Sequence, residues 1–363
     1  MRVVVKVGTS SITRDSGEID DDALVKLCAE LADARAAGHD IVLVSSGAIA
    51  AGLPVLGFRV RPRDIGTLQA AAAVGQPVLM ERLRMLLATH DVVAGQVLLT
   101  PYDFGHRSQY LHARETLARL LELRIVPVVN ENDTIADDEI RFGDNDLLAA
   151  LVAQLVGADV LVLLTDTSGV FTADPRLNSG ASLIEEIREV DAALEAVAGG
   201  AGTARGSGGM ASKLAAAKIA SWSGVRAVIA GAREPGVVRR ALTDGESVGT
   251  VVQPRSQRLS SRKLWIAFAL GVAGRVIVDD GARRALIEDG RSLLPAGVRD
   301  VQGTFDREDA VEVVDTSGRV FAKGLAGMDA AMMRRVAGRR TADLPEGVPH
   351  EAVHRDDLVL LPD

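Results

Sequence analysis

Residues 1–11 read Met-Arg-Val-Val-Val-Lys-Val-Gly-Thr-Ser-Ser, and this stretch decides the fold. The run over residues 3–7 is short and β-branched, and glycine and hydroxyl residues follow it, which predicts a strand that ends there. Apart from Lys6 the run is apolar at odd and even positions alike, as in a strand buried on both faces. A lysine inside such a strand is costly to bury unless it meets an anion.

The same pattern recurs over the first 250 or so residues, where short apolar runs alternate with longer Ala/Leu-rich amphipathic stretches. Buried strands separated by helices indicate a mostly parallel sheet covered on both faces. We therefore predict an α/β fold with a three-layer, open, mostly parallel sheet, followed by a small β-rich domain. The strand runs are residues 3–7, 41–44, 92–93, 125–129, 160–164 and 225–229, and the helical stretches include residues 22–37, 113–123 and 210–222.

The texture of the sequence changes after about residue 255. Residues 253–258 are polar and predict a linker, and turn signals become frequent beyond them. Residues 311–314 and 319–322 flank one of these turns and predict a hairpin. We predict four segments: an α/β domain that carries the chemistry over residues 1–252, a linker over 253–271, a β-rich domain over 272–350 and a tail over 351–363.

The composition is that of an ordinary globular protein. The 363 residues carry a net charge of −8, so a global basic field that would attract nucleic acid is absent. Cys28 is the single cysteine, which excludes an intrachain disulfide, and its helical surroundings predict a core residue. The sequence shows no signal peptide and no apolar run long enough to span a bilayer. We expect a cytoplasmic protein without a membrane partner.

Six segments at predicted strand ends or in loops are rich in small polar residues, and ligands of open α/β sheets bind beyond the carboxyl ends of the strands. Small residues that open a helix after Ser45 suit an anion. The amides and carboxylate that end the 125–129 strand suit an ammonium group. Each segment alone is also compatible with an ordinary turn or helix cap. The segments are residues 6–11, 45–52, 130–133, 142–146, 165–176 and 206–213.

Two lysines, one of them beside a glycine loop, point to phosphoryl transfer. Lys213 follows the loop at the start of a predicted helix, where backbone N–H groups and a cation suit polyphosphate. Phosphoryl transfer needs positioning and charge neutralisation more than a covalent nucleophile. The sequence contains no Walker A loop, no protein-kinase motif set and no dinucleotide fingerprint. The histidines are scattered, and we assign no protein ligand to a metal.

Taken in order, six motifs closely resemble those of the amino acid kinase family, and within it the kinases that act on glutamate. The β-rich domain resembles a PUA domain, a module found in RNA-modifying enzymes. The resemblance implies that glutamate and ATP give glutamyl 5-phosphate and ADP, the first step of proline synthesis, with Mg²⁺ as the counterion of ATP. The motifs are Val-Val-Lys-Val-Gly-Thr-Ser, Ser-Ser-Gly-Ala-Ile-Ala-Ala-Gly, Val-Asn-Glu-Asn-Asp, Gly-Asp-Asn-Asp, Leu-Leu-Thr-Asp and Gly-Gly-Met-x-x-Lys.

The resemblance also implies roles for individual residues. Lys6 and Lys213 would neutralise the transferring phosphoryl group, and Asp144 would hold both lysines in position. The glutamate-binding residues would be Ser46, Asp133 and Asn145. The ATP-binding residues would be Lys6, Thr165, Asp166, Ser207, Gly208, Gly209, Met210, Ala211, Ser212 and Lys213.

Partners and alternatives follow from the same comparison. Family members are commonly inhibited by proline, so proline is the expected feedback inhibitor, and we expect a homo-oligomer. An RNA-binding or RNA-modifying protein is the alternative from another class, based on the PUA-like domain alone. Residues 271–363 carry 13 basic and 17 acidic side chains, which disfavours RNA as a partner. Within the kinases, residue chemistry alone would also allow another amino acid or a carbamate as the substrate.

Overall fold

The computed structural model describes residues 1–14, 16–104, 106–135, 145–175, 177–191, 194–196, 209–243, 245–246, 248–256 and 258–361. The chain divides into two compact units, Met1–Arg258 and Leu259–Asp363. Each unit has an apolar core of its own.

An eight-stranded sheet forms the centre of the first unit. Its strand order is β3-β4-β2-β1-β5-β7-β8-β6, and all neighbours are parallel except β7 and β8. This arrangement confirms the predicted mostly parallel sheet. The strands are β1 (Arg2–Val7), β2 (Asp40–Ser45), β3 (Ala94–Leu99), β4 (Val126–Glu131), β5 (Val160–Thr165), β6 (Glu186–Ile187), β7 (Arg226–Gly231) and β8 (Thr250–Val252).

Helices cover both faces of this sheet. On one face α2 packs against α4 and α8, and on the other α6 packs against α5 and α7. The helices are α1 (Thr9–Ile12), α2 (Asp21–Ala36), α3 (Ala48–Val55), α4 (Ile65–Ala88), α5 (Arg107–Glu122), α6 (Asn145–Val156), α7 (Met210–Trp222) and α8 (Val237–Leu242). Across the described residues, no helix is both long and apolar enough to cross a membrane.

The central strand β1 shows how the sheet sorts its side chains. Val3, Val5 and Val7 belong to the core shared with α2 and α4. Because side chains alternate along a strand, Lys6 points to the opposite face, where α6 lies against β1. Lys6 pairs in register with Val44 of β2, so it is held in the middle of the sheet. The alternation of side chains along β1 thus places the cation of Lys6 on the face that α6 covers.

Helices α3 and α4 cross at a pair of glycines. A Cβ on Gly52 would lie 1.9 Å from the carbonyl oxygen of Ala71, and one on Gly75 would lie 1.9 Å from that of Ala48. Both distances are far inside van der Waals contact with backbone, so neither helix could tolerate a side chain at the crossing. Gly52 therefore serves helix packing, although it closes a sequence motif that also suits anion binding.

A five-stranded sheet forms the second unit, in the order β10-β9-β11-β12-β13. Antiparallel β11 and β12 confirm the predicted hairpin. In its turn, the Asp315 carboxylate accepts hydrogen bonds from the backbone N–H groups of Ser317 and Arg319. The elements are β9 (Gly274–Val278), β10 (Val298–Gly303), β11 (Ala310–Val314), β12 (Val320–Leu325), β13 (Leu358–Leu360), α9 (Ser261–Leu264), a π-helical turn (Trp265–Ala269), α10 (Asp280–Ile287) and α11 (Ala330–Val336).

Three local expectations differ from the structure. The strand predicted at residues 92–93 begins instead at Ala94, because Asp91, with φ of 56°, turns the chain after α4. The predicted linker is in part bound to the first unit, since Arg255 lies 4.5 Å from the centroid of the Trp222 ring and pairs with Glu189. The predicted tail contributes β13, which pairs with β12 and continues the second sheet.

We expect Gly75→Ala to lower the free energy of unfolding by about 3 kcal/mol, because the new methyl group would force apart two helix backbones. Gly66→Ala is the matched control in the same helix, since a Cβ there meets nothing within 4 Å. That variant should be as stable as the parent or slightly more so, because alanine favours helix over glycine. Urea denaturation of both variants checks this, and equal stability of the two would contradict the crossing constraint.

Candidate active site

A buried carboxylate holds two lysines at the carboxyl end of β1. Asp146 Oδ1 lies 2.6 Å from Lys6 Nζ, and Asp146 Oδ2 lies 3.0 Å from Lys213 Nζ. The side chain of Asp146 is fully buried, and the lysine side chains are only 3% and 7% exposed. The hydroxyl of Ser212 lies 2.9 Å from Asp146 Oδ2 and can donate its proton there. One carboxylate therefore joins β1, α6 and α7.

The local sequence explains how the three groups meet. Asp146 is the second residue of α6, whose following residues are almost all buried. Lys213 is the fourth residue of α7, on the first turn of a helix whose N-cap, Gly209, makes no side-chain cap hydrogen bond. Both helix N-termini thus add the positive end of a helix dipole to the two ammonium groups.

The charges of this cluster do not balance. Among the described residues, two buried ammonium groups share one carboxylate, which leaves one positive charge uncompensated. Burying an unpaired charge is expensive unless a counter-charge meets it. The N–H groups at the start of α7 also favour an anion. The arrangement therefore suits a phosphate group placed between Lys6 and Lys213.

Among the described residues, Asp146 is the one whose carboxylate contacts both lysines. Asp144, to which the sequence analysis gave this role, lies outside the described residues. Asp146, two residues further on in the same Gly-Asp-Asn-Asp motif, makes both contacts. The apolar residues that follow Asp146 could have indicated its burial, because a carboxylate at the start of a buried helix needs a charged partner.

A chain of buried amides lies beside the lysines. Asn145 Nδ2 donates to the carbonyl of Ser45 at 2.5 Å and to Asn130 Oδ1 at 2.6 Å. Asn130 Nδ2 in turn donates to Gln76 Oε1 at 2.6 Å. With its amide protons used in this way, Asn145 keeps its carbonyl oxygen for a hydrogen-bond donor such as an ammonium group. Sequence patterns gave no indication of Gln76, which is a buried polar residue within the long helix α4.

Ser46 has an unused hydroxyl. Its Oγ is buried and makes no hydrogen bond within the part of the chain that the structure describes. Its backbone N–H donates to the carbonyl of Val7 at 3.2 Å, which places Ser46 beside the end of β1. Gly47, with φ of 103°, then turns the chain into α3. A buried hydroxyl without a partner is costly, so Ser46 is suited to a polar ligand.

Asp133 follows β4 and has a perturbed acidity. Burial raises the pKa of its carboxyl to about 6, although the nearby positive charge of Arg61 lowers the pKa in part. A carboxylate whose charge is destabilised by burial would gain from a cationic ligand. Asp133 is therefore suited to bind an ammonium group.

The loop after β5 forms the other side of the site. The hydroxyl of Thr165 donates to Asp166 Oδ1 at 3.1 Å, and the carbonyl of Thr165 accepts from the N–H of Ala232 at 2.7 Å. Buried Thr250 secures the loop further on, because its hydroxyl accepts from the N–H of Val170 and donates to the carbonyl of Ile184. The loop is thus fixed by its contacts with Ala232 and Thr250, and Asp166 is exposed beyond the carboxyl end of β5.

Two predicted nucleotide residues, Ser207 and Gly208, lie outside the described residues. Gly209, Met210, Ala211 and Ser212 form the start of α7 beside Lys213. The described residues contain no group of three His, Cys, Asp or Glu side chains that could hold a metal ion. Both oxygens of Asp146 already face lysines.

The chain belongs to the Amino acid kinase family, which it matches over residues 1–231. It also matches the PUA domain over residues 274–348. Curated relatives extend the similarity to almost the whole chain. It is 48% identical to the glutamate 5-kinase of Azoarcus sp. (strain BH72), over 99% of this chain and 97% of that one. It is 46% identical to the glutamate 5-kinase of Moorella thermoacetica, over 99% and 96%.

Solved structures support the fold. A carbamate kinase from Giardia lamblia bound to AMP-PNP matches 70% of this chain and 98% of its own, with a TM-score of 0.52 and 19% identity. An isopentenyl phosphate kinase matches 70% of this chain and all of its own, with a TM-score of 0.51 and 22% identity. At these identities the likeness shows the fold alone, and it confirms the predicted amino acid kinase-like sheet.

We expect Asp146→Asn to lower the free energy of unfolding by about 3–5 kcal/mol, because it leaves two buried ammonium groups without their carboxylate. Adding Lys213→Met to this variant removes one of the two charges and should recover part of the loss. Chemical denaturation of the single and double variants measures both effects. A single variant as stable as the parent would show that Asp146 is not what compensates the lysines.

Proposed function

We infer that this chain transfers the γ-phosphoryl group of ATP to the side-chain carboxylate of L-glutamate. The products are L-glutamyl 5-phosphate and ADP, and the reaction is the first step of proline biosynthesis. The observation that carries the chemistry is the buried pair of ammonium groups that shares one carboxylate. The choice of substrate is supported by relatives named glutamate 5-kinase that match almost the full chain.

The two lysines supply the charge that this reaction needs. A glutamate carboxylate oxygen attacks the γ-phosphorus, the bond to the β–γ bridging oxygen breaks, and ADP leaves with that electron pair. Both reactants are anions, so they repel each other until their charges are neutralised. Lys6 and Lys213 would contact the transferring phosphoryl group, and Asp146 would fix the separation of the two ammonium groups.

The amino acid would be bound mainly by polar groups that have no hydrogen-bond donor, acceptor or cation to satisfy them in the described protein. Asp133 and the carbonyl oxygen of Asn145 would accept hydrogen bonds from the α-ammonium group. The free hydroxyl of Ser46 would donate to a carboxylate oxygen. These contacts hold the substrate beside Lys6, because Ser46 is hydrogen-bonded to the end of the same strand.

ATP would lie on the other side of the lysines. Thr165 and Asp166 would border the nucleoside. The glycine loop that contains Ser207, Gly208 and Gly209 and the start of α7, from Met210 to Lys213, would bind the phosphates through backbone N–H groups. Mg²⁺ enters the proposal only as the counterion of ATP, because both oxygens of Asp146 face lysines. No step depends on a metal held by the protein.

Three further features belong to this proposal and come from the family resemblance. Proline, the end product of the pathway, would act as a feedback inhibitor. The enzyme would work in the cytoplasm, and it would form a homo-oligomer.

With Mg-ATP, we expect the protein to release ADP in the presence of L-glutamate and to release far less with L-aspartate. Aspartate is one methylene shorter, so its carboxylate cannot reach the phosphoryl group while its ammonium is held at Asp133. We expect kcat/KM to differ by roughly 100-fold or more. Hydroxylamine should trap the acyl phosphate as a hydroxamate. Equal turnover of the two amino acids, or of neither, would disprove the assignment.

Two lysines of α7 allow a matched comparison, in which Lys213 is the tested residue and Lys218 is the control. Lys213→Ala should lower kcat about 10²-fold, which is typical for the loss of one charge-stabilising group. Lys218→Ala, on the same helix, removes a lysine that pairs with Glu195 at the surface and should leave kcat unchanged. An equal loss in both variants would attribute the effect to the helix rather than to the site.

We expect kcat/KM for glutamate to fall roughly tenfold between pH 7 and pH 5, because burial raises the pKa of Asp133 to about 6. Protonation below pH 6 removes the charge that binds the ammonium group, so activity is lost as the pH falls. The KM for ATP should not follow this change. Asp133→Asn should lower kcat/KM at pH 7 and abolish the dependence. The same profile in that variant would assign the titration to another group.

A further inference from the structure

Three side-chain amides form a buried chain that leads to the place proposed for the amino acid. Asn145 Nδ2 donates to Asn130 Oδ1 at 2.6 Å, and Asn130 Nδ2 donates to Gln76 Oε1 at 2.6 Å. The three residues belong to α6, β4 and α4, and they are 4%, 1% and 9% exposed. Gln76 is therefore joined by two hydrogen bonds to Asn145, one of the residues proposed to bind the ammonium group of glutamate.

Backbone groups fix the direction in which two of these amides point. The carbonyl oxygen of Ser45 can only accept, so Asn145 faces it with its NH2 group, at 2.5 Å. The backbone N–H of Glu131 can only donate, so Asn130 faces it with its carbonyl oxygen, at 2.9 Å. The NH2 group of Asn130 then points at Gln76. The chain thus has a fixed direction, with the carbonyl oxygen of Asn145 at its open end.

Gln76 supplies the acceptor that keeps Asn130 in this orientation. Within the described part of the chain, no other group accepts a hydrogen bond from Asn130 Nδ2. A buried donor without an acceptor is costly, and a side chain can avoid that cost by turning over. If the Asn130 amide turned over, however, its NH2 group would face the N–H of Glu131 and the NH2 group of Asn145. Without the acceptor on Gln76, the orientation in which Asn130 holds Asn145 would lose its advantage.

The surroundings of Gln76 give no reason for an amide in terms of packing. Gln76 lies on the buried side of α4, and the other buried residues of this helix are leucine, alanine and glycine. An apolar side chain of the same length would fill such a position without the cost of taking an amide out of water. The amide of Gln76 therefore serves the hydrogen bond with Asn130.

We propose that Gln76 is a positioning residue for recognition of the amino-acid substrate. By accepting a hydrogen bond from Asn130, it holds the Asn145 amide in the orientation that leaves the carbonyl oxygen of Asn145 free for the ammonium group. Gln76 acts through these two side chains and not on the substrate itself. This inference rests on the proposed function and adds to it a residue of α4, a helix to which that function assigns no role.

Three substitutions of Gln76 separate the hydrogen bond from the space that the side chain fills. Gln76→Met keeps the length and removes the acceptor, whereas Gln76→Asn keeps the amide but is one methylene shorter. We expect each to raise the KM for L-glutamate about tenfold and to leave the KM for ATP unchanged, because one hydrogen bond to a charged group is weakened. Gln76→Glu keeps an acceptor at the same distance along the side chain, so its KM should stay within about threefold of the parent value. Measurements at pH 8 keep Asp133 ionised.

A matched control and a double variant show whether the effect follows the proposed path. Gln69→Met makes the same change on the same helix, at a half-buried glutamine without a hydrogen-bond partner among the described residues, and it should keep the parent KM. Asn145→Ala removes the acceptor at the open end of the chain. Adding Gln76→Met to that variant should therefore raise the KM for glutamate by less than about twofold. Where turnover is too slow, the calorimetric Kd for glutamate replaces the KM.

A rise in KM that is confined to glutamate, absent from Gln76→Glu and lost in the Asn145→Ala background supports the inference. Four outcomes would overturn it: an unchanged KM for glutamate in Gln76→Met and Gln76→Asn, an equal rise in Gln76→Glu, an equal rise in Gln69→Met or in the KM for ATP, or the full effect in the Asn145→Ala background. A parent enzyme that does not phosphorylate glutamate would instead remove the proposed function, and this inference would fall with it.

Discussion

The contact between Asp146 and the two lysines is the interaction on which the site depends. It joins the central strand to two helices that are distant in sequence, and it does so where the carboxyl ends of parallel strands meet. Among the residues that the structure describes, one carboxylate faces two ammonium groups, which leaves a buried positive charge that a phosphate could neutralise. Binding of an anionic ligand would therefore also neutralise the charge that Asp146 leaves on the two lysines.

The two halves of the site use different physics. Around the lysines full charges face each other at 2.6 and 3.0 Å, which suits the strongly anionic group that is transferred. On the amino-acid side, the carboxylate of Asp133 is accompanied by a neutral chain of amides, formed by Gln76, Asn130 and Asn145, that ends in one free acceptor. Fixed dipoles can orient a substrate without attracting every ion nearby, whereas charges lower the barrier to transfer.

The sequence indicated a site residue wherever a charged side chain stood among apolar neighbours. Lys6 stands out because it interrupts an apolar strand, and the strand pattern also predicted the parallel sheet, which the structure confirms. Local patterns did not single out Asp146, because it shares one polar motif with Asp144 and its burial at the start of α6 depends on packing. Gln76 and the pairing of β13 depend on contacts between segments far apart in the chain, which local patterns do not record.

The geometry of the site also depends on the glycines at which α3 and α4 cross, although these glycines do not meet a ligand. Gly75 sets the distance between the helix backbones, and the next residue, Gln76, starts the amide chain to Asn145. Gly52 fixes the helix whose first turn follows Ser46. A methyl group in place of a hydrogen atom on Gly75 would therefore displace the amide of Gln76, and one on Gly52 would displace the helix that follows Ser46. The requirements of catalysis therefore reach these two positions through the backbone, although neither glycine has a side chain that could meet a ligand.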